Sequence, residues 1–188
     1  NAYPMTTLAE IYEFEDPKAR DSEQVVCTGN EALGYGILAA GVRFGAGYPI
    51  TPWSDIMELL RRELPKYDGI FVQCEDEIAA VSMAIGASWG GRCAITGSSG
   101  PGIALKGEAI GWAVMAEIPL IVVDVQRGGP STGMPTNVEQ SDLNIACFGG
   151  HGDSPRVVLA PASVEDCFYT AIEAVNIARE YSTPVIIL

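Results

Sequence analysis

An alternation of short apolar runs with longer helical segments constrains the fold of this chain more than any other feature. From Val25 onward, strand-like runs are separated by segments that show helical apolar spacing. Helices of about ten or more residues between strands predict right-handed βαβ units and a mostly parallel sheet. With 188 residues, the chain is long enough for one domain with a full core. We predict a three-layer α/β/α fold over residues 24–188, preceded by an acidic arm or linker over residues 1–23.

The predicted elements follow one another closely. Ser54 and Ser163 have the sequence context of helix N-caps. Residues 97–102, Gly-Ser-Ser-Gly-Pro-Gly, form a glycine-rich turn before a helix, by default a tight connection that could also bind an anion. The predicted strands are residues 25–28 (or the start of a helix), 42–48, 70–74, 92–96, 118–125, 156–159 and 185–188, and the predicted helices are residues 31–40, 54–64, 77–88, 103–116, 138–147 and 163–179.

Charge and residue usage exclude several classes of protein. The formal net charge of -13 argues against a nucleic-acid surface and against an anionic membrane as partner. The five cysteines include no C-x-x-C pair, so we expect no iron–sulfur or zinc site within the chain. Their odd number and apolar surroundings predict reduced, buried thiols in a cytoplasmic protein. His151 is the only histidine, which argues against a Ser-His-Asp triad or a multi-histidine metal site.

The two ends of the sequence predict a piece of a longer polypeptide. The first residue is Asn1 rather than methionine, and the last five residues form a strand-like run that no further element follows. No signal peptide is apparent, and no apolar stretch reaches transmembrane length without interruption.

Polar side chains follow three of the predicted strands at the point where each strand ends. They lie in residues 48–54 (Tyr-Pro-Ile-Thr-Pro-Trp-Ser), 74–77 (Cys-Glu-Asp-Glu) and 125–133 (Val-Gln-Arg-Gly-Gly-Pro-Ser-Thr-Gly). In an open parallel sheet the carboxyl ends of the strands meet at one edge, and ligands bind there. A hydroxyl, a carboxylate and a guanidinium at that edge predict a binding site for a polar organic molecule.

Glu77 is the predicted acid of this site. It ends a run of three acids, Glu75, Asp76 and Glu77, between a strand and an apolar helix of small residues. A helix N-terminus favours negative charge, whereas burial and mutual repulsion favour the protonated carboxyl. A carboxyl that is subject to these opposing effects is suited to donating and accepting a proton. On position alone, the alternative is a solvated acid cluster that caps the helix.

Arg127 and Thr51 are the predicted polar anchors. Arg127 follows an apolar strand and precedes two glycines that let a ligand approach the backbone, and its planar fork of donors fits a carboxylate. A salt bridge to Asp124 or to a partner would explain Arg127 equally well. Thr51 lies between Pro49 and Pro52, which stiffen the loop around its hydroxyl, and a plain turn into the helix is the alternative.

Together these segments resemble the α subunit of the 2-oxoacid:ferredoxin oxidoreductases, most closely the 2-oxoglutarate type. The resemblance extends from about Val25 to Leu188, and residues 126–136 (Gln-Arg-Gly-Gly-Pro-Ser-Thr-Gly-Met-Pro-Thr) are its most specific part. The other runs that carry it are residues 48–52, 75–80 and 96–102. The resemblance implies the pyrimidine-binding domain of a thiamine diphosphate site that forms between two subunits or domains.

The resemblance also implies a reaction and its acid. The reaction is the oxidative decarboxylation of a 2-oxoacid to an acyl-coenzyme A and carbon dioxide, with electrons passed through an iron–sulfur cluster to ferredoxin. Glu77 would contact N1′ of the aminopyrimidine and share a proton with it. The family's spacing to Gly86 and Ala87 favours Glu77 over Glu75 for this role.

The remaining contacts implied by the resemblance come from two loops. Pro49 and Ile50 would line the cofactor ring. Thr51 and Arg127 would hold the carboxylate and the carbonyl of the substrate. The identity of the 2-oxoacid stays open, with Ser131, Thr132 and residues of a partner as candidates for its recognition.

Other parts of such an enzyme are missing from the sequence. The diphosphate and Mg²⁺ half of these sites uses a Gly-Asp-Gly run, whereas Gly152 and Asp153 are followed here by Ser154 and Pro155. The cysteine clusters are missing too. We therefore expect a β subunit to carry the diphosphate site, the Mg²⁺ and the iron–sulfur cluster, and to contact the small-residue helix after Glu77.

Two further functions remain open at the level of sequence. A non-oxidative thiamine-dependent decarboxylase, of the short sulfopyruvate-decarboxylase kind, uses a similar domain without an iron–sulfur partner. Residues 128–133, Gly-Gly-Pro-Ser-Thr-Gly, favour the oxidoreductase. The alternative of a different class is a non-catalytic flavodoxin-like binding domain, in which Glu77 and Arg127 would have structural roles only.

Overall fold

The computed structural model describes residues 25–188, and the predicted acidic arm lies outside the described residues. The strands are β1 (Phe44–Gly47), β2 (Ile70–Gln73), β3 (Ala94–Ser98), β4 (Leu120–Asp124), β5 (Val157–Leu159) and β6 (Pro184–Ile187). The helices are α1 (Gly29–Ala39), α2 (Trp53–Glu63), α3 (Glu77–Trp89), α4 (Gly100–Met115), α5 (Leu143–Phe148) and α6 (Val164–Tyr181), and a 3₁₀ turn spans Leu64–Tyr67. The strands form one sheet in the order β2-β1-β3-β4-β6-β5, and every neighbouring pair is parallel.

Helices cover both faces of this sheet. Helices α1, α2 and α6 enclose one core, and helices α3, α4 and α5 enclose the other. Alternate residues of β4 enter the two cores, because successive side chains of a strand point to opposite faces. Ile121 and Val123 belong to the first core, whereas Leu120 and Val122 belong to the second. The predicted three-layer α/β/α architecture with a parallel sheet is confirmed.

Side chains of the flanking residues start α1 and α6. At α1, the Thr28 hydroxyl accepts the N–H of Glu31 at 3.2 Å, and the Glu31 carboxylate accepts the N–H of Thr28 at 2.8 Å. This reciprocal pair is a capping box. Residues 25–28 therefore lead into α1 without forming a strand, so the alternative of a helix entry holds and their prediction as a strand is wrong. At α6, the Ser163 hydroxyl accepts the N–H of Asp166 at 3.1 Å, which confirms the predicted cap.

Several other predicted boundaries are wrong by a few residues, and the helix predicted over residues 138–147 begins only at Leu143. Helix α2 begins at Trp53 without a side-chain cap, so Ser54 lies inside its first turn. The Trp53 ring is fully buried, and an added Cβ at Gly97 would overlap it. The ring packs on the sheet at the start of α2, where no hydroxyl caps the helix. The predicted turn over residues 97–102 is divided between the end of β3 and the first turn of α4.

All five cysteines are free thiols. Only Cys93 is buried, whereas Cys27, Cys74, Cys147 and Cys167 are half-buried, so the prediction of burial is wrong for those four. Within residues 25–188, no helix combines the length and the apolar character that a membrane crossing requires.

Candidate functional site

The carboxyl ends of four strands bring the predicted site residues to one edge of the sheet. Gly47 at the end of β1 pairs with Gln73 of β2 and with Gly97 of β3, and Ser98 of β3 pairs with Asp124 of β4. The connections that follow these four strands therefore leave the sheet side by side. In chain order they carry Thr51, Glu77, Ser99 and Arg127.

The three consecutive acids at this edge have different surroundings. Asp76 is the N-cap of α3, and its carboxylate accepts the N–H of Ala79 at 2.7 Å. Glu75 is exposed to solvent. Glu77, the first residue of α3, is only 7% exposed. The capping role that the sequence left open for the whole cluster falls to Asp76, and Glu77 is the buried acid of the three.

A glycine in the first turn of α4 allows the Glu77 side chain to lie against that helix. An added Cβ at Gly102 would lie 2.9 Å from the Cγ of Glu77 and would overlap the Ser98 hydroxyl. Ser98 is fully buried, and within residues 25–188 its hydroxyl has no hydrogen-bond partner. The start of α4 and the end of β3 thus form a close-fitting wall beside the acid.

A buried lysine lies next to the backbone of Glu77. The Nζ of Lys106 donates to the backbone carbonyl of Glu77 and to the hydroxyl of Thr96, each at 3.1 Å. The side chain is 0% exposed, and burial lowers the pKa of Lys106 to about 8. The charges of Glu77 and Asp76 act in the opposite direction and favour the ammonium.

Lys106 was not predicted from the sequence, although a signal was available. It lies on the buried face of α4, at helical spacing from apolar residues before and after it. Lysine is almost never fully buried unless it has partners. A lysine at a core-facing position of an apolar helix is therefore unusual, and this could have identified Lys106 from the sequence. The apolar residues of the same face are Ile103, Ile110 and Ala113.

Arg127 joins two loops of the site. Its Nη1 donates to the carbonyl of Thr51 at 2.8 Å, and its Nη2 donates to the carbonyl of Thr132. The side chain is buried, and within the described part of the chain its Nε–H meets no acceptor. The salt bridge to Asp124 that was an alternative for Arg127 does not occur among residues 25–188. Arg127 therefore fixes the Thr51 loop against the loop after β4.

The remaining predicted residues lie in the loop after β1. Pro49 and Thr51 are exposed, whereas Ile50 is half-buried and packs against the core of α1, α2 and α6. Pro52 and Gln126 border a cavity of about 360 Å³ together with residues of α1, β4 and α6. This cavity lies at the same edge of the sheet, next to the loops that Arg127 joins.

Two carboxyl groups are paired behind the Arg127 loop. Asp142 accepts the backbone N–H of Gly100 at 3.1 Å. Burial raises the pKa of Asp124 to about 8, and the charge of Asp142 and a hydrogen bond with it act in the same direction. Asp142 accepts a backbone N–H, whereas neither carboxyl oxygen of Asp124 meets a hydrogen-bond donor among residues 25–188, so the shared proton belongs on Asp124, which can then donate to Asp142. Asp124 is thus a neutral acid of the folded protein at pH 7.

We expect Asp124→Asn to stabilise the protein increasingly as the pH rises. In the unfolded chain Asp124 ionises near its ordinary pKa of about 3.9, whereas the folded protein holds the proton up to a pH of about 8. The unfolded state therefore binds fewer protons than the folded state in this window, and stability is lost between these two pH values. An amide cannot ionise and can still donate to Asp142.

Thermal unfolding from pH 4 to pH 9 tests this expectation. The difference in Tm between Asp124→Asn and wild type should grow with pH and level off above about pH 8. Each kcal/mol corresponds to about 2–4 °C for a chain of this size. A difference that is constant across the pH range would contradict the assignment of the proton to Asp124.

Comparison with known proteins places this domain in one family. Residues 35–188 match the family described as "Pyruvate flavodoxin/ferredoxin oxidoreductase, thiamine diP-bdg". The chain belongs to this family. The match includes every predicted site residue, from Pro49 to Arg127.

Relatives within this oxidoreductase family are close in sequence and structure. The chain is 50% identical to the 2-oxoglutarate oxidoreductase subunit KorA of Mycobacterium tuberculosis, over 99% of this chain and 29% of that protein. It is 49% identical to the 2-oxoglutarate synthase subunit KorA of Methanothermobacter marburgensis, over 89% of this chain and 44% of that protein. A solved structure of 2-oxoglutarate:ferredoxin oxidoreductase from Magnetococcus marinus, with 2-oxoglutarate, coenzyme A and succinyl-CoA bound, has a TM-score of 0.86 and 45% identity.

This family member therefore spans only part of the length of its relatives. The Magnetococcus marinus match covers 97% of this chain and 33% of the solved one. The resemblance to 2-oxoacid:ferredoxin oxidoreductases, expected from the sequence, is confirmed by these matches.

Proposed function

We propose that residues 24–188 are the pyrimidine-binding domain of the α subunit of a thiamine-diphosphate-dependent 2-oxoacid:ferredoxin oxidoreductase, with 2-oxoglutarate as the substrate. The complete reaction would convert 2-oxoglutarate and coenzyme A to succinyl-coenzyme A and carbon dioxide, with two electrons delivered to ferredoxin. The observation that carries the proposal is the buried Glu77 at the carboxyl edge of the sheet, in a chain 50% identical to a 2-oxoglutarate oxidoreductase subunit.

The surroundings of Glu77 fit the aminopyrimidine half of thiamine diphosphate. A buried carboxyl that does not cap its own helix can engage a ring nitrogen. The missing Cβ at Gly102 lets the Glu77 side chain pack closely against the start of α4, which fixes the acid at this edge of the sheet. When bound, the cofactor supplies the electron sink for decarboxylation. Glu77 would hold the proton at N1′, and Pro49 and Ile50 would border the ring.

Arg127 and Thr51 are the proposed binding residues for the substrate. Arg127 has five N–H donors, of which the two carbonyl bonds use two. The remaining donors and the exposed Thr51 hydroxyl would orient the carboxylate and the carbonyl of the 2-oxoacid. Ser131 and Thr132 are exposed on the same loop and are candidates for contact with the far end of the substrate.

The outer surface of α3 and α4 supports a partner subunit. Trp89 is 69% exposed and Trp112 is 53% exposed, and their rings stack with centroids 6.4 Å apart. Met83 and Met115 extend this apolar surface on the same two helices. Contiguous exposed apolar area of this kind marks interaction sites. We assign it to a β subunit that supplies the diphosphate site, Mg²⁺ and the iron–sulfur cluster.

A cytoplasmic location completes the proposal. The free thiols support a reducing compartment, because oxidising compartments favour disulfides.

The proposal is tested on the full-length protein that contains this chain, co-purified with its partner. We expect viologen dye reduction with 2-oxoglutarate that requires both thiamine diphosphate and coenzyme A, and a weaker response to pyruvate. Release of carbon dioxide without dye reduction would indicate the non-oxidative decarboxylase instead. A folded assembly that binds no thiamine diphosphate would indicate the non-catalytic binding domain.

A further inference from the structure

Packing alone does not explain why a lysine lies at position 106. The side chain is 0% exposed on a face of α4 that is otherwise apolar, where a methionine of similar length would fit. Burial of an ammonium costs free energy unless the group is paired. No carboxylate oxygen lies within ion-pair distance of its Nζ among residues 25–188. The lysine must therefore contribute through the groups that it does contact.

Those contacts connect three elements beneath the candidate acid. Lys106 of α4 donates to the carbonyl of Glu77, the first residue of α3, and to the hydroxyl of Thr96 in β3. Gly102, one helical turn before Lys106, is the residue against which the Glu77 side chain lies. Helix α4 thus holds Glu77 at two points, through its backbone carbonyl and through its side chain.

We propose that Lys106 is a positioning residue that fixes the backbone of Glu77 and places a positive charge beneath its carboxyl, so that the acid meets the aminopyrimidine ring nitrogen in one orientation. The inference rests on the proposed function. Lys106 does not itself touch the cofactor. Its two hydrogen bonds set where α3 begins relative to β3.

The charge of Lys106 gives the proposal a pH signature. The groups whose charges act on it are Glu77, Cys74 and Asp76, and burial sets its pKa at about 8. Burial raises the pKa of the Cys74 thiol above its ordinary value, so Cys74 loses its proton at higher pH than Lys106 does. The affinity for thiamine diphosphate should therefore decline above a pH of about 8 as Lys106 loses its charge.

The test compares Lys106→Met and Lys106→Gln with wild type and with Ile110→Val in the assembled full-length enzyme. Ile110→Val removes one buried methyl group one turn farther along α4, so it perturbs the same face without touching Glu77. The measurements are the Kd of thiamine diphosphate by titration calorimetry between pH 7 and pH 9.5, the Tm, and kcat and KM for 2-oxoglutarate.

We expect Lys106→Met to weaken thiamine diphosphate binding about tenfold at pH 7, to remove the decline above pH 8, and to keep the Tm at or above that of wild type. Lys106→Gln keeps a donor and should recover part of the affinity. The loss should appear in kcat rather than in the KM for 2-oxoglutarate. Ile110→Val should lower the Tm and leave the Kd unchanged.

Two results would overturn the proposal. One is a Lys106→Met enzyme with a lower Tm and a wild-type Kd, which would make Lys106 a structural residue only. The other is a wild-type Kd that does not vary with pH up to 9.5, and this result decides the question even if the variants fail to assemble. Wild type that binds no thiamine diphosphate at any pH would instead refute the proposed function, and the role of Lys106 with it.

Discussion

Replacement of Glu77 by glutamine should lower the 2-oxoglutarate-dependent dye reduction of the assembled enzyme by about 10²–10⁴-fold, the usual contribution of a positioned acid or base. Glutamine has the shape of glutamate but cannot hold or release the proton at N1′. The fold should tolerate the change, because Asp76 rather than Glu77 caps α3. The measurements are kcat, the Kd of thiamine diphosphate and the Tm of the variant.

Glu75→Gln is the matched control for this substitution. It makes the same chemical change two residues earlier, at an exposed side chain. We expect its activity and its Tm to stay close to those of wild type. Full activity in Glu77→Gln, with loss of activity in Glu75→Gln, would transfer the catalytic role to Glu75.

Gly102→Ala should inactivate the enzyme without altering any polar group. The added methyl group would overlap the Ser98 hydroxyl and lie 2.9 Å from the Cγ of Glu77, so the acid must move. Misplacement of a catalytic group by about 1 Å can cost about 10²-fold in rate. Overpacking of this kind also costs about 1–3 kcal/mol in stability. Both kcat and the Tm should therefore fall.

Gly111→Ala in the same helix separates this local effect from a general effect of alanine. Its added Cβ would meet only the Ser154 hydroxyl, at 3.9 Å. Alanine inside a helix stabilises by about 0.4–1 kcal/mol where the geometry allows it. We expect a Tm at or above that of wild type and nearly full activity. An equal loss of activity in both variants would contradict the specific contact between Gly102 and Glu77.

Much of the fold could be predicted because the periodic spacing of apolar residues within a segment indicates whether that segment is a helix or a strand. The spacing of apolar residues along β4 and α6 reports which side chains face the core, and each element needs only its own segment for that signal. The ends of the helices and strands were less predictable. Helix α2, for example, begins without a capping hydroxyl at Trp53, whose buried ring packs against Gly97. That contact joins residues far apart in the sequence.

The candidate site, too, could be predicted only in part. Its location followed from the rule that polar residues after parallel strands meet at one edge. Thr51 and Glu77 follow the neighbouring strands β1 and β2, and Arg127 follows β4, with only β3 between them. The contacts that surround these side chains could not be predicted from that rule. The bonds from Arg127 to the Thr51 and Thr132 carbonyls had no counterpart in the sequence pattern.

The sequence by itself determined the parallel α/β architecture and the edge at which the predicted residues lie, and it proposed Glu77 as the acid. Only the tertiary structure decided that Asp76 caps α3 while Glu77 is buried, and that Lys106 and Asp124 are buried ionisable groups behind the site. The physical reason is that periodicity is a property of one segment, whereas burial and hydrogen bonding depend on which segments meet. Lys106 and Glu77 are 29 residues apart, and their contact exists only once α4 has packed against α3.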